Sequence, residues 1–135
     1  MNLVVIDGQS GRMGQLLIER IRSAGLPVQI SAVGTNAIAT SAMLKAGADA
    51  GATGENPVLV ACRTAEIIAG PIGILSADSL MGEITPAMAV AIGQSAAKKV
   101  LLPVNQCSNI LVGTQSLTLS RLMDEAVELL RSLCS

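Results

Sequence analysis

Three evenly spaced glycines form the sharpest chemical motif in this 135-residue chain. Gly8, Gly11 and Gly14 make a G-x-x-G-x-x-G pattern, called the glycine loop (residues 8–14) below, directly after the apolar run at residues 3–7. In such a motif the first glycine turns the chain off a strand and the second lets the backbone approach a pyrophosphate, while the third lets helix and strand pack closely. The motif therefore predicts a phosphate-binding loop at a helix N-terminus. The alternative is a tight turn whose glycines serve backbone geometry alone.

The elements that must position this loop alternate between strand and helix. Apolar runs predict strands at residues 3–7, 28–33, 49–52, 67–69, 100–104 and 110–113. Residues 58–62 also have strand composition, but a parallel crossover needs about a dozen residues, so we assign them to a helix that begins at Asn56 and Pro57. A short helix is predicted over residues 74–81, and Thr85 and Pro86 are predicted to begin another.

The regular alternation predicts an α/β fold. We expect one doubly wound, Rossmann-like, three-layer domain over residues 1–135, with a mainly parallel sheet of five to six strands. The interpretation depends on continuous apolar strands, which fit a sheet that is covered by helices on both faces.

Candidate binding residues follow the strands, because ligands of open α/β sheets lie beyond the carboxyl ends of the strands. The residue types there are glycines, hydroxyls and amides, which suit a small phosphorylated ligand held by backbone N–H groups. No converging lysines, histidines or carboxylates indicate hydrolysis, so no catalytic residue is assigned, and no metal site is predicted. The predicted binding residues are Asp7, Gly8, Gln9, Ser10, Gly11, Arg12, Met13, Gly14, Gly34, Thr35, Asn36, Gly70, Pro71 and Asn105.

Four further side chains carry chemistry of their own. The Asp7 carboxylate would repel a pyrophosphate, so we expect it to accept hydrogen bonds from its own loop amides, with a ribose hydroxyl or Mg²⁺ as alternatives. Cys107 has no histidine to generate a thiolate and is expected to be a small hydrophobic residue. Asp78 and Glu83 are expected to serve helix ends, with a neighbouring subunit as the alternative.

The segment GRMG followed by QLLI resembles the cofactor loop of dihydrodipicolinate reductases, over about residues 3–24. The resemblance implies NAD or NADP as the cofactor. It does not imply the reductase activity, because that depends on histidines in a second domain and this chain contains no histidine. The second predicted strand ends in Gly34, Thr35 and Asn36 instead of the carboxylate typical of NAD sites, so NAD, NADP and a mononucleotide all stay open. The resemblance implies that Gly8, Gly11, Arg12, Met13 and Gly14 would contact the cofactor.

Two other resemblances concern larger parts of the chain. Residues 32–40, 70–71 and 102–105 resemble the phosphate-binding strand ends of methylglyoxal-synthase-like domains, which implies a phosphate-binding or regulatory member, since the catalytic histidine is missing. Over its full length the chain resembles a family of small bacterial proteins of unknown function, through segments such as VIDGQSG, GPIGI and GEITPAMA.

Composition excludes several classes of function. The chain contains no His, Phe, Tyr or Trp, which rules out imidazole acid–base catalysis and base stacking on aromatic side chains. Its net charge of −1 predicts no nucleic acid or membrane partner. Only 14% of the residues are charged, so we expect a second copy to cover apolar surface in a homo-oligomer. Three cysteines without C-x-x-C spacing, and no signal peptide, predict a cytoplasmic protein.

Two functional hypotheses remain from the sequence. The first is a nucleotide-cofactor-binding protein, NAD(P)-dependent, that acts as a sensor or as a minimal oxidoreductase completed by oligomerisation. The alternative is a phosphometabolite-binding or regulatory domain without redox chemistry. Whether any reaction is catalysed is left open at this stage.

Overall fold

A computed structural model of the chain describes residues 1–104 and 109–135 and shows helices on both faces of a parallel sheet. A short 3-10 helix, Ile72–Leu75, follows the fourth strand. The strands are β1 (Asn2–Asp7), β2 (Gln29–Gly34), β3 (Ala50–Thr53), β4 (Ile67–Pro71) and β5 (Lys98–Leu102). The α-helices are α1 (Arg12–Ser23), α2 (Ala37–Lys45), α3 (Glu55–Thr64), α4 (Pro86–Gln94) and α5 (Leu119–Cys134).

The strand order is β3-β2-β1-β4-β5, and each neighbouring pair is parallel. Chain order reverses between β1 and β4, which is the point where open sheets of this kind leave a crevice at their carboxyl edge. The register aligns Asp7 with Gly34 at the end of β1 and β2. The predicted α/β, Rossmann-like fold is confirmed, with five strands in the described residues.

Two hydrophobic cores lie on opposite faces of the sheet, and β1 contributes to both. Leu3 and Val5 pack with α1, α2 and α5, whereas Val4 and Ile6 pack with α3 and α4. All four side chains are buried. Such continuous burial explains why β1 is apolar at successive positions instead of alternating.

The choice of a helix for residues 58–62 is confirmed, because these residues lie inside α3. Its N-cap is Gly54, so the expected start at Asn56 was two residues late. The fourth strand was expected to end at residue 69, with Gly70 and Pro71 after it. This expectation is wrong, since both residues are buried in β4. The predicted sixth strand is also wrong. Residues 110–113 pair with no strand, and Ile110 and Val112 are 83% and 96% exposed.

The helix predicted over residues 74–81 is replaced by the 3-10 helix and a series of turns, called the β4–α4 loop (residues 76–85) below. Asp78, Leu80 and Met81 have positive φ angles of 66°, 55° and 56°, which no α-helix accommodates. Leu80 and Ile84 are nevertheless buried in the core. These two buried side chains, one on each side of the tip of the loop, therefore hold its backbone in place.

Candidate functional site

The buried carboxylate of Asp7 binds two backbone amides of the glycine loop. It is the last residue of β1 and is 2% exposed. Its Oδ1 accepts a hydrogen bond from the Gly8 amide at 2.8 Å, and its Oδ2 accepts one from the Gly14 amide at 2.8 Å. Burial raises the pKa of Asp7, while these amides lower it less strongly and the nearby Glu83 charge raises it further. Asp7 thus has the first role expected for it, at the positive end of α1.

Close packing against α2 requires a glycine at position 11. Its φ is 75°, and a Cβ at this position would lie 2.6 Å from the Cα of Ala39. Its amide donates to the Gly8 carbonyl at 2.9 Å. At Gly14, a Cβ would meet the Met43 side chain. Backbone turning and helix packing therefore account for these two glycines without a ligand.

Glu83 reaches the same sheet edge from the β4–α4 loop. Its Oε1 accepts hydrogen bonds from the Gln9 amide at 2.8 Å, the Thr35 hydroxyl at 2.5 Å and the Asn36 Nδ2 at 3.0 Å. Burial tends to raise the pKa of Glu83, but the three hydrogen bonds outweigh it and the pKa is lowered. The donors come from the loops after β1 and β2, so three segments of the chain converge on one oxygen atom.

Asn36 is held in place before it meets Glu83. Its Oδ1 caps α2 by accepting from the Ala39 amide at 2.9 Å, and its Nδ2 also donates to the Gln9 carbonyl at 3.0 Å. The side chain is therefore oriented by its own helix, with a donor directed to the site. Nearby, the Thr85 hydroxyl donates to Glu55 at 2.5 Å, which places a second carboxylate, an exposed one, at this edge.

The structure brings some of the predicted residues together and leaves others apart. Ser10 and Arg12 are exposed on the glycine loop, while Met13 packs partly into the core. Gly34 lies against Thr40. Asn105, like Cys107, lies outside the described residues. The predicted residues that meet around the Glu83 carboxylate are Asp7, Gly8, Gln9, Thr35 and Asn36.

Gly70 and Pro71 do not reach this group. They are buried within β4, where a Cβ on Gly70 would clash with the Ile6 carbonyl of β1. Gly70 is therefore explained by the close approach of two strands. Glu83 is the residue that the sequence analysis missed as a member of the site, because 74 positions separate it from Gln9 and no local pattern links them.

The donor set around Glu83 suits an oxyanion. It consists of a backbone N–H, a hydroxyl and a side-chain amide, and each is a hydrogen-bond donor without formal charge. In the described part of the chain, no group of three or more His, Cys, Asp or Glu side chains is arranged to hold a metal ion. No helix there has the length and apolar character to span a membrane.

Comparison with protein families gives one match, which spans residues 2–135: a domain of unknown function, DUF3842. The chain belongs to this family. The expectation of a family of unknown function is therefore confirmed. No curated protein sequence matches the chain.

Among solved structures, the chain is similar to a dodecameric FMN-dependent Ubix-like decarboxylase from Escherichia coli O157:H7. The two share 14% sequence identity, and the alignment covers 98% of this chain and 93% of that one, with a TM-score of 0.44. A likeness at this level transfers no reaction to the DUF3842 chain.

The prediction of NAD or NADP as cofactor is wrong. The similar structure is described as dependent on FMN, a different cofactor. The geometry of the glycine loop gives the physical reason, because a dinucleotide needs its pyrophosphate on the loop amides at the start of α1. Here the amides of Gly8 and Gly14 are bound by Asp7, and the amide of Gln9 is bound by Glu83.

Proposed function

We propose that this DUF3842 protein binds a small ligand with a single phosphate group, a mononucleotide or a phosphorylated metabolite, at the carboxyl edge of β1 and β2. One observation carries the proposal: three donors from two strand-end loops converge on one anionic oxygen, the Oε1 of Glu83. A phosphate oxygen accepts hydrogen bonds with the same geometry as a carboxylate oxygen. The ligand phosphate would then replace the Glu83 side chain on Gln9, Thr35 and Asn36.

The backbone around Glu83 supports a replacement of the side chain alone. Leu80 and Ile84 are buried on either side of it, so the β4–α4 loop stays in place when the carboxylate turns outward. The vacated space lies beside Gly8, where a Cβ would come within 2.8 Å of Glu83 Oε1. A glycine at this position therefore leaves room for an oxyanion against the backbone.

The loop amides that Asp7 already binds limit the ligand to one phosphate. Asp7 is negative when ionised and interacts with Glu83, as the effect of Glu83 on its pKa shows. Exchange of the carboxylate for one phosphate monoester, which carries about −1.5 to −2 at neutral pH, already adds negative charge at this distance from Asp7. A pyrophosphate would need the amides that Asp7 holds, and it would bring a second phosphate closer to that carboxylate. Binding without a reaction, in the manner of a regulatory domain, is what this donor set supports.

Calorimetry with inorganic phosphate, ribose 5-phosphate, AMP and FMN tests the proposal. Glu83→Ala removes the internal competitor and should bind the favoured ligand at least about tenfold more tightly than the parent does. Adding Thr35→Val to Glu83→Ala should weaken binding about tenfold, because a hydrogen bond to a charged group is lost. NAD is the expected non-binder.

Glu55→Ala is the matched control, since Glu55 is another carboxylate at this edge that contacts Thr85 instead of the donor set. It should leave affinity unchanged. If Glu83→Ala binds none of the four compounds at millimolar concentration, the donor set serves only to hold the β4–α4 loop and the proposal is overturned. Preference for AMP and FMN over ribose 5-phosphate would select a nucleotide over a metabolite.

A further inference from the structure

The two edges of the sheet are built differently. The β5 edge begins with Lys98 and Lys99, and charged side chains of this kind discourage pairing with another strand. The β3 edge has the sequence AGAT, without a charge or a proline, and all four residues are exposed. An unprotected strand edge offers a row of unpaired backbone groups, which native proteins normally cover or block.

The unpaired groups of β3 can be assigned from its pairing with β2. Gly54 donates to the Gly34 carbonyl at 2.9 Å, so by the alternation of a strand the backbone groups of Gly51 and Thr53 point away from β2. In the part of the chain that the structure describes, no hydrogen bond occupies these outward groups. They are two donors and two acceptors in a short exposed row.

From this edge we infer that β3 pairs with β3 of a second copy of the chain, in an antiparallel arrangement that joins two five-stranded sheets. A two-fold axis at Ala52 sets Gly51 opposite Thr53 of the other copy, and each pair exchanges both hydrogen bonds. At the axis itself the two Ala52 residues form a non-hydrogen-bonded pair, in which Cα atoms approach to about 4.5 Å and a small side chain fits. With this symmetry, β3 of the second copy supplies a hydrogen-bond partner for every outward backbone group of Gly51 and Thr53.

The neighbouring helices favour a second copy as the partner. α2 packs over both β2 and β3, and Leu44 lies over Gly51 with 41% of its surface exposed. With strands about 4.8 Å apart, α2 of each copy would lie roughly 10 Å from its symmetry mate, which is the distance at which helices pack. Leu44 would then be covered by the other copy.

The opposite face of the edge is uncharged as well. Ala50, Ala52 and the 46% exposed Val60 line a groove of about 410 Å³ between β3 and α3, and none of its lining residues is charged. The carboxylates at the two ends of β3 already have partners, since Asp49 binds Arg22 at 2.8 Å and Glu55 binds Thr85 at 2.5 Å. Arg22 neutralises Asp49, whereas Glu55 keeps its charge. A two-fold axis at Ala52 sets each Glu55 opposite the Asp49–Arg22 ion pair of the other copy and not opposite a second Glu55.

The test uses one lysine at the proposed axis and one elsewhere. Ala52→Lys sets two ammonium groups on either side of the two-fold axis and should weaken the dimer about tenfold or more. Val90→Lys is the matched control, because Val90 is also exposed, at 53%, but lies on α4. Analytical ultracentrifugation at micromolar concentration should show a dimer for the parent and for Val90→Lys, and dissociation for Ala52→Lys. Circular dichroism checks that both variants fold.

Hydrogen exchange identifies the surface directly. The amides of Gly51 and Thr53 should be protected in the parent and exchange freely in Ala52→Lys. A parent that sediments as one 13.7 kDa species overturns the inference and leaves the edge to an extended segment of another protein. A dimer that Val90→Lys dissociates and Ala52→Lys does not also overturns it, since the interface would then lie on α4.

Discussion

The glycine loop and the β4–α4 loop meet at the same sheet edge, but different kinds of contact hold them. In the glycine loop, the preceding residue Asp7 binds the amides of Gly8 and Gly14 from inside. The β4–α4 loop instead sends Glu83 across to donors on two other loops. The first contact is local and buried, and the second is long-range and accessible. The comparison teaches that in this chain the glycine pattern marks where the backbone turns and packs, whereas the convergence of donors from separate loops is what led us to propose a ligand position.

The largest effect is expected for alanine at Gly11, and alanine at Gly14 is its comparison. Gly11→Ala combines a left-handed backbone with a clash against the backbone of Ala39, and should lower the free energy of unfolding by roughly 3 kcal/mol. Gly14→Ala meets the Sδ and Cγ atoms of the buried Met43 side chain, which can shift more easily than backbone, and should cost about 1–2 kcal/mol. Urea denaturation measures both. Equal costs would show that Gly11 is not fixed by α2.

A smaller effect separates the two carboxylates. Asp7→Ala leaves the buried amides of Gly8 and Gly14 without an acceptor and should cost about 2 kcal/mol or more. Glu83→Ala exposes its donors to water and should cost about 1 kcal/mol or less, because these groups find solvent partners. The same denaturation experiment compares them. A greater loss for Glu83→Ala would make the long-range contact the main support of this edge.

The smallest expected effect is in the pH dependence of stability, where the contributions of the Asp7 and Glu83 carboxylates change in opposite directions with pH. The pKa of Asp7 is raised above its ordinary 3.8. Its contribution to the free energy of unfolding is therefore full below pH 3.8 and is lost as the pH rises through the pKa of the folded protein. The pKa of Glu83 is lowered from 4.5, so its contribution is present above pH 4.5 and is lost as the pH falls through the folded value.

Denaturation of the parent, Asp7→Asn and Glu83→Gln between about pH 3 and 7 checks these signs. Asp7→Asn should lose a component of stability that grows toward low pH, and Glu83→Gln should lose a component that grows toward neutral pH. Two variants with the same slope would contradict the assignment of different environments to the two groups.

Much of the fold follows from local sequence rules. β3 and α3 were predicted because a parallel crossover needs a helix between strands, and that constraint outweighed the strand-like composition of residues 58–62. The same composition rule failed at residues 110–113, where apolar side chains lie exposed in turns. The helix prediction failed at residues 74–81, since nothing in the sequence indicates that Leu80 and Met81 adopt positive φ.

The candidate site was predictable only in part. Thr35 and Asn36 were placed correctly at the edge because they follow a strand, and Asn36 is a good helix cap. The role of Glu83 depends on a loop that crosses between strands, and its partners lie 47 to 74 positions away in the sequence. Helix-capping rules depend only on residues that are close in the sequence, so they assigned Glu83 to a helix end.

The position of β1 in the middle of the sheet also governs the order of assembly during synthesis. β1 leaves the ribosome before both strands that pair with it. β2 follows soon afterwards, but the other edge of β1 stays unpaired until β4, which begins at Ile67, is made. The apolar side chains Val4 and Ile6 stay without α4 for still longer. A nascent chain that stops before β4 therefore exposes one unpaired edge of β1 and its apolar side chains. We expect such a chain to depend on chaperones that the finished protein does not need.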